Sequence, residues 1–411
     1  MRARDESSYD GPPKRHRTSV AAHASSELHA RLAGKRVLIC AGSGGVGKTT
    51  VSAALALGVA REGSRVLVLT IDPARRLARA LGLDAAAGAD RGEPMLVDPA
   101  HLRAAGVQMR GELWAMTLDV KRAFDELIAE LAPDEQARAE LLENRIYREL
   151  SSAAAGSQEV AAVAKLFQLD RDRAFDVLVL DTPPSHNALD FLEAPTRLAS
   201  FLEGRGMDIF IVAGSPLRSA SALPRLDPRG MAARLLGGGT GLLFSLFARA
   251  TGVELAGDIG LFFSLLAGLR DGLRERARAV EALLRDEATS FLIVTSPEPE
   301  PAREASFLHA SLRDAGMPYG ALIVNRMHEG ALDERELAEL RSLVEFRLDE
   351  RLGARVLRSV AEYEVLAARD ARTLASLARE LGEKHPISVP ELGEEVDDLA
   401  GLTGVARRLF E

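Results

Sequence analysis

Residues 42 to 50 read Gly-Ser-Gly-Gly-Val-Gly-Lys-Thr-Thr, set between the apolar run Val37-Leu38-Ile39-Cys40 and a helix-forming stretch from Val51 to Ala60. A strand that ends in glycines lets consecutive backbone N–H groups turn in around an anion, and the positive end of the next helix holds its charge. Bulkier side chains block that approach. Gly42, Gly47, Lys48 and Thr49 fill the pattern G-x-x-x-x-G-K-T, with Lys48 placed for the β and γ phosphates and Thr49 for Mg²⁺. The loop predicts a nucleoside triphosphate site. Without the lysine, the same glycines would imply only a strand-to-helix turn.

Hydrolysis asks for two further groups, one to orient the attacking water and a carboxylate to steady Mg²⁺. Asp72-Pro73-Ala74-Arg75 follows an apolar strand candidate, and Asp181-Thr182-Pro183-Pro184 ends another. Both aspartates therefore fall at carboxyl edges of strands, where open α/β sheets hold their ligands. Singly, each is as readily a turn former or a helix cap. Together with the phosphate loop, in this order, they point to nucleotide chemistry.

These groups need a sheet to position them. Strand candidates at Arg36–Ala41, Arg65–Ile71, Leu113–Thr117, Asp176–Asp181, Phe291–Thr295 and Ala321–Asn325 alternate with helical stretches. Their apolar runs are continuous, as in strands buried on both faces. The expected fold is α/β, a P-loop NTPase with a mostly parallel, doubly wound sheet and a helical insertion subdomain. Helical insertions are expected at about 120–173 and 187–286. In the second, Phe262, Leu266, Leu269, Leu273, Val280 and Leu284 mark one apolar face of a long helix, with Arg270, Arg274, Arg276 and Arg278 on its polar face. That face either packs on its own domain or offers a groove to a hydrophobic partner segment. Gly237-Gly238-Gly239 and Gly241 mark an entry into this subdomain.

The 411 residues, 47% of them hydrophobic, suit one large α/β domain with helical additions, and a net charge of -8 gives no general attraction for nucleic acid. Cys40 is the single cysteine. One thiol supports neither a disulfide nor a cysteine-based metal site within the chain, the pattern of a cytoplasmic protein. Residues 1–32, with Gly11-Pro12-Pro13 and the basic run Lys14-Arg15-His16-Arg17, are expected to be a disordered leader ahead of an ATPase domain at 33–411. Leu402, Val405, Ala406, Leu409 and Phe410 with Arg407-Arg408 form an amphipathic helix that either covers the sheet or lies on anionic lipid.

The glycine loop, Asp72-Pro73-Ala74, Asp181-Thr182-x-Pro184 and Leu189-x-Phe191-Leu192 together resemble the ArsA-type ATPases, which include arsenical pump-driving ATPases and targeting factors for tail-anchored membrane proteins. Ser296-Pro297-Glu298, Val324-Asn325 and Val389-Pro390 extend the likeness over about Lys35 to Leu409. The resemblance implies ATP and Mg²⁺ as cofactors. It places Gly44, Gly45, Val46, Gly47, Lys48, Thr49 and Thr50 around the phosphates, Asp72 at the lytic water, Asp181 in the Mg²⁺ shell, Asn325 at the adenine and Pro390 near the base. It also implies a dimer that opens and closes to capture or release a cargo.

Three departures stand out. The family's early loop lysine, which reaches the partner's nucleotide, is Ser43 here, so the expected dimer is either homodimeric with its charge from a local arginine such as Arg75 or Arg76, or heterodimeric with a lysine-bearing paralogue. The family's cysteine ligands have no counterpart, which disfavours arsenite. The usual histidine of the second switch is Asn187, with His186 one place earlier. Rival readings are a partition or division-site ATPase at a membrane surface and a non-hydrolysing ATP-bound scaffold.

Overall fold

Strands made wholly of apolar residues require cover on both faces, and the chain supplies it. The computed structural model describes residues 27–71, 76–83, 92–153, 157–183, 253–330, 334–392, 396 and 398–410. Among the described residues eight strands form one sheet: β1 (Val37–Ala41), β2 (Arg65–Thr70), β3 (Met95–Leu96), β4 (Glu112–Thr117), β5 (Val177–Asp181), β6 (Thr289–Thr295), β7 (Tyr319–Met327) and β8 (Ile387–Pro390). Their order is β3-β4-β2-β5-β1-β6-β7-β8. All pairs are parallel except β3 with β4. The six expected strands are present; β3 and β8 are additions at the two edges.

Because side chains alternate across a strand, each strand splits its residues between two cores. Leu38, Cys40, Val66, Val68, Val177, Val179, Leu292 and Val294 face one core, shared with the helix Lys48–Arg61 and the C-terminal helix Leu399–Phe410. Val37, Ile39, Leu67, Leu69, Leu178, Leu180, Phe291 and Ile293 face the other, covered by residues of Ser157–Asp172, Arg270–Arg285, Pro299–Asp314 and the end of Glu350–Leu381. The sheet is thus doubly wound.

The first insertion consists of Val120–Leu131, Glu135–Glu143, Arg145–Ala153 and Ser157–Asp172. Of the second, residues 253–286 are described. The long helix expected there is two, Val253–Gly268 and Arg270–Arg285, interrupted at Leu269, whose N–H bonds three residues back to Leu266. The interruption lets the two halves serve different cores. Phe262, Leu265, Leu269 and Leu273 join Leu127, Ile128, Leu141 and Tyr147 in a third cluster, whereas Val280, Leu283 and Leu284 pack under the sheet. The apolar face is therefore covered from within the chain along these residues. Arg276 of its polar side stacks on Phe167 and pairs with Glu130.

One more expectation needs correction, and one alternative is decided. Residues 27–32 do not belong to the expected disordered leader: they are helical, with Leu28 fully buried and Arg31 bound to Glu383 at 2.8 Å and to the Gly320 carbonyl at 3.1 Å. The C-terminal helix does not offer its apolar face to lipid. Leu402, Val405, Leu409 and Phe410 are buried against the Lys48–Arg61 helix and its core. At roughly 1.5–3 kcal/mol for each large side chain buried, peeling that face off the core costs several kcal/mol before any lipid contact is gained. Phe410 lies over Gly58, where an added Cβ would fall 2.1 Å from the ring, and its edge meets the His29 ring at 4.9 Å.

Candidate functional site

β1 lies between β5 and β6, where the strand order reverses, and delivers the glycine loop into the crevice at the carboxyl ends of these strands. Glycine is required at two places in the loop. A Cβ on Gly42 would lie 1.9 Å from the Val294 carbonyl oxygen on β6. Gly47 has φ of 87°, and a Cβ there would meet Asn325 Nδ2 at 2.3 Å. The helix that begins at Lys48 has no side-chain cap at Gly47 and no acidic residue in its first turn. Its positive end is therefore not neutralised by its own residues.

Lys48 is buried, and its Nζ donates to the Ser43 carbonyl at 2.7 Å. Thr49 Oγ1 donates to Asp181 Oδ2 at 2.7 Å, and Thr70 Oγ1 donates to the same oxygen at 2.8 Å. Asp181 is only 2% exposed. Strand alternation explains the convergence: Thr70 continues the series Val66, Val68 and Asp181 the series Val177, Val179, all on the face that carries the Lys48 helix. Thr70 was not among the expected residues. Its signal was a lone hydroxyl ending an otherwise apolar strand, in step with the inward-facing valines.

Asn325 comes to the loop from β7. It is in step with Ile323, on the same sheet face as the Lys48 helix, and its Nδ2 donates to the Val46 carbonyl at 2.9 Å. Here the amide braces the phosphate loop. Beyond it, Arg326 has φ of 59° and the β7–β8 register shifts between Val324 and Met327, so Met327 pairs with Pro390. Asn325 and Pro390 thus share the carboxyl edge of neighbouring strands.

A polar knot holds that edge. His328 Nδ1 lies 2.6 Å from Asp370 Oδ2, its backbone N–H donates to the same oxygen at 3.1 Å, and its Nε2 lies 3.2 Å from Glu391. Arg369 donates to the other oxygen of Asp370 at 2.9 Å. Burial raises the proton affinity of Asp370, but His328 and Arg369 outweigh it and hold this carboxyl below the usual range. Sequence reasoning missed the knot because its members are far apart along the chain.

Gly44, Gly45, Val46, Thr50 and Thr182 also line the loop region, with Thr182 Oγ1 donating to the Cys40 carbonyl at 2.9 Å. Cys40 is fully buried, and burial pushes its thiol up to about 12. It is not a thiolate at neutral pH. Asp72, Arg75, Pro184, His186, Asn187, the Leu189–Leu192 motif and the glycines at 237–241 lie outside the described residues. Arg76 opens a short helix, Arg76–Ala80, and is exposed.

The profile of the anion-transporting ATPases matches residues 35–209, the stretch that carries the glycine loop, Asp72 and Asp181. Through this segment the chain is similar to the ArsA-type ATPases. It is 27% identical over 301 residues to ATPase GET3C of Arabidopsis thaliana, an alignment covering 71% of this chain and 67% of that protein. With ATPase ARSA1 of Chlamydomonas reinhardtii it shares 25% identity over 320 residues, 71% of this chain but 35% of the algal protein. ATPase get3 of Aspergillus terreus is 30% identical over 168 residues, 41% of this chain and 45% of the fungal one. The chain spans less than half of the algal and fungal proteins. An ArsA-type assignment accounts for the parallel sheet and for a phosphate loop at its switch point.

Proposed function

We propose that this chain is an Mg²⁺-dependent ATPase whose hydrolysis cycle opens and closes a dimer to capture or release a cargo. The observation that carries the reading is the meeting of Lys48, Thr49 and Asp181 at the switch point of the sheet. A threonine hydroxyl and a carboxylate are hard oxygen donors of the kind Mg²⁺ takes, and Mg²⁺ supplies charge neutralisation at the β and γ phosphates when bound. In this reading Gly44 to Thr50 surround the phosphates, Lys48 neutralises them, and Asp181 orients the Thr49 hydroxyl. Asp72 positions the lytic water. Asn325 exchanges its Val46 bond for the adenine edge, with Pro390 beside the base.

The ATPase domain then begins near residue 27, and the insertions at about 120–173 and 187–286 form the cargo-handling part. A hydrophobic protein segment is the favoured cargo, by resemblance to the targeting factors for tail-anchored membrane proteins among the ArsA-type ATPases. Cys40, buried and protonated, argues against metalloid capture by thiolate. A cytoplasmic protein with no nucleic-acid partner fits the charge and the single thiol. The dimer partner is either a second copy or a paralogue bearing the loop lysine. The burial of the C-terminal apolar face speaks against direct lipid binding through that helix.

Calorimetric titration with Mg-ATP and steady-state phosphate release test the reading together. Wild type is expected to bind and hydrolyse, Lys48→Ala to do neither, and Asp72→Asn to bind without turnover. Tight binding with no phosphate release by wild type, alone or with a paralogue, supports a scaffold instead.

A further inference from the structure

We infer that the Ser43 side chain is a phosphate ligand within its own subunit, an inference that rests on the ATP-binding reading above. Ser43 is 7% exposed, and its Oγ is buried with no hydrogen-bond partner among the described residues. A buried hydroxyl left unmatched is costly, and such groups in native proteins usually have a partner in a working state. The surroundings identify that partner. Ser43 follows Gly42, whose contact with the Val294 carbonyl fixes the start of the loop against β6. Its own carbonyl accepts the Lys48 ammonium at 2.7 Å, so the serine sits beside the cation that tracks the phosphates.

The loop runs from Ser43 into a helix whose positive end carries no acidic residue. Three features of one short segment therefore favour an anion: the uncapped helix start, the lysine and an unsatisfied donor. A hydroxyl contributes no net charge, but it donates one directed hydrogen bond to a phosphate oxygen, and such bonds to charged acceptors are stronger than neutral ones. Because the side chain is buried within its own subunit, the contact needs no second subunit.

The test compares Ser43→Ala and Ser43→Thr with wild type for binding of Mg-ATP and of magnesium tripolyphosphate, which lacks base and sugar, and for melting of the ligand-free protein. Ser43→Ala is expected to weaken both ligands by about tenfold, the order of a lost hydrogen bond to a charged group. Its ligand-free melting temperature is expected to be unchanged or higher, since an unmatched hydroxyl has been removed. Ser43→Thr, which keeps the hydroxyl, is expected to retain binding closer to wild type than the alanine variant. Equal affinity of wild type and Ser43→Ala for both ligands overturns the inference and leaves the ATP reading intact. Failure of wild type itself to bind Mg-ATP overturns the ATP reading.

Discussion

Thr49, in the first turn of the phosphate-loop helix, and Thr70, at the end of β2, donate to one oxygen of Asp181 over 2.7 and 2.8 Å. The carboxylate therefore ties the loop to the sheet. Asp181→Asn keeps the shape but removes the charge, and is expected to lower phosphate release by about a hundredfold or more, as for loss of a transition-state charge partner. Thr70→Val leaves Thr49 and Asp181 paired and is expected to cost about tenfold or less, since one net hydrogen bond is worth about 1 kcal/mol. Phosphate release measured against Mg²⁺ concentration checks both. Asp181→Asn should shift the Mg²⁺ dependence more than Thr70→Val.

Gly47 faces two separate obstacles to substitution, its backbone angle and the Asn325 amide 2.3 Å from where a Cβ would lie. Gly47→Ala is expected to weaken ATP binding strongly and to lower stability by about 1–3 kcal/mol. Adding Asn325→Ala relieves the contact but not the left-handed backbone. The double variant should therefore regain part of the lost stability, as read by urea unfolding, without regaining ATP affinity.

Gly58→Ala in the middle of a helix ordinarily stabilises by about 1 kcal/mol. Here the new methyl would meet the Phe410 ring. Overpacking of this kind costs about 1–3 kcal/mol, so the single change is expected to destabilise. Phe410→Ala alone is expected to cost about 3 kcal/mol. In the Phe410→Ala background the sign for Gly58→Ala should reverse, and a double-mutant cycle by chemical denaturation reads it directly. Additive effects would show that the ring moves away freely.

Glu383 anchors the N-terminal helix: its nearly buried carboxylate takes Arg31 at 2.8 and 2.9 Å, the Tyr319 hydroxyl at 2.7 Å and the His385 N–H at 3.1 Å. Burial pushes this carboxyl up, yet Arg31 and Tyr319 together bring it below the ordinary glutamate value. A carboxyl depressed in the folded state adds stability above its unfolded pKa of about 4.3, and that stability is lost as pH falls through the folded value. Glu383→Gln should be less stable than wild type at pH 7 by about 2 kcal/mol, the scale of hydrogen bonds to a charged group. The gap should narrow as pH drops from about 5 to 3 in a series of melting curves.

The amino-acid order made much of this visible. Continuous apolar runs located β1, β2, β4, β5, β6 and β7 because a strand buried on both faces leaves no other pattern. β3 escaped notice because it has two residues, and β8 because a four-residue edge strand ending in proline gives little signal. The Leu269 break was hidden because its apolar spacing continues through it. At the site, the places of Lys48 and Thr49 at a helix start and of Asp181 at a strand end were legible, since local sequence sets each of those positions. The Asn325–Val46 bond and the His328–Asp370 knot were not, because they join segments that only the folded sheet brings together.

The pairing of β1 carries a consequence for biogenesis. This central strand takes its neighbours from residues 177–181 and 289–295, and Gly42 rests on Val294. A nascent polypeptide that has left the ribosome only as far as residue 280 holds its entire glycine signature yet lacks the wall against which that signature is shaped. Contacts so distant along the chain form slowly. Competence for nucleotide should thus arise late in synthesis, and the exposed β1 edge is the natural point for a chaperone to guard meanwhile.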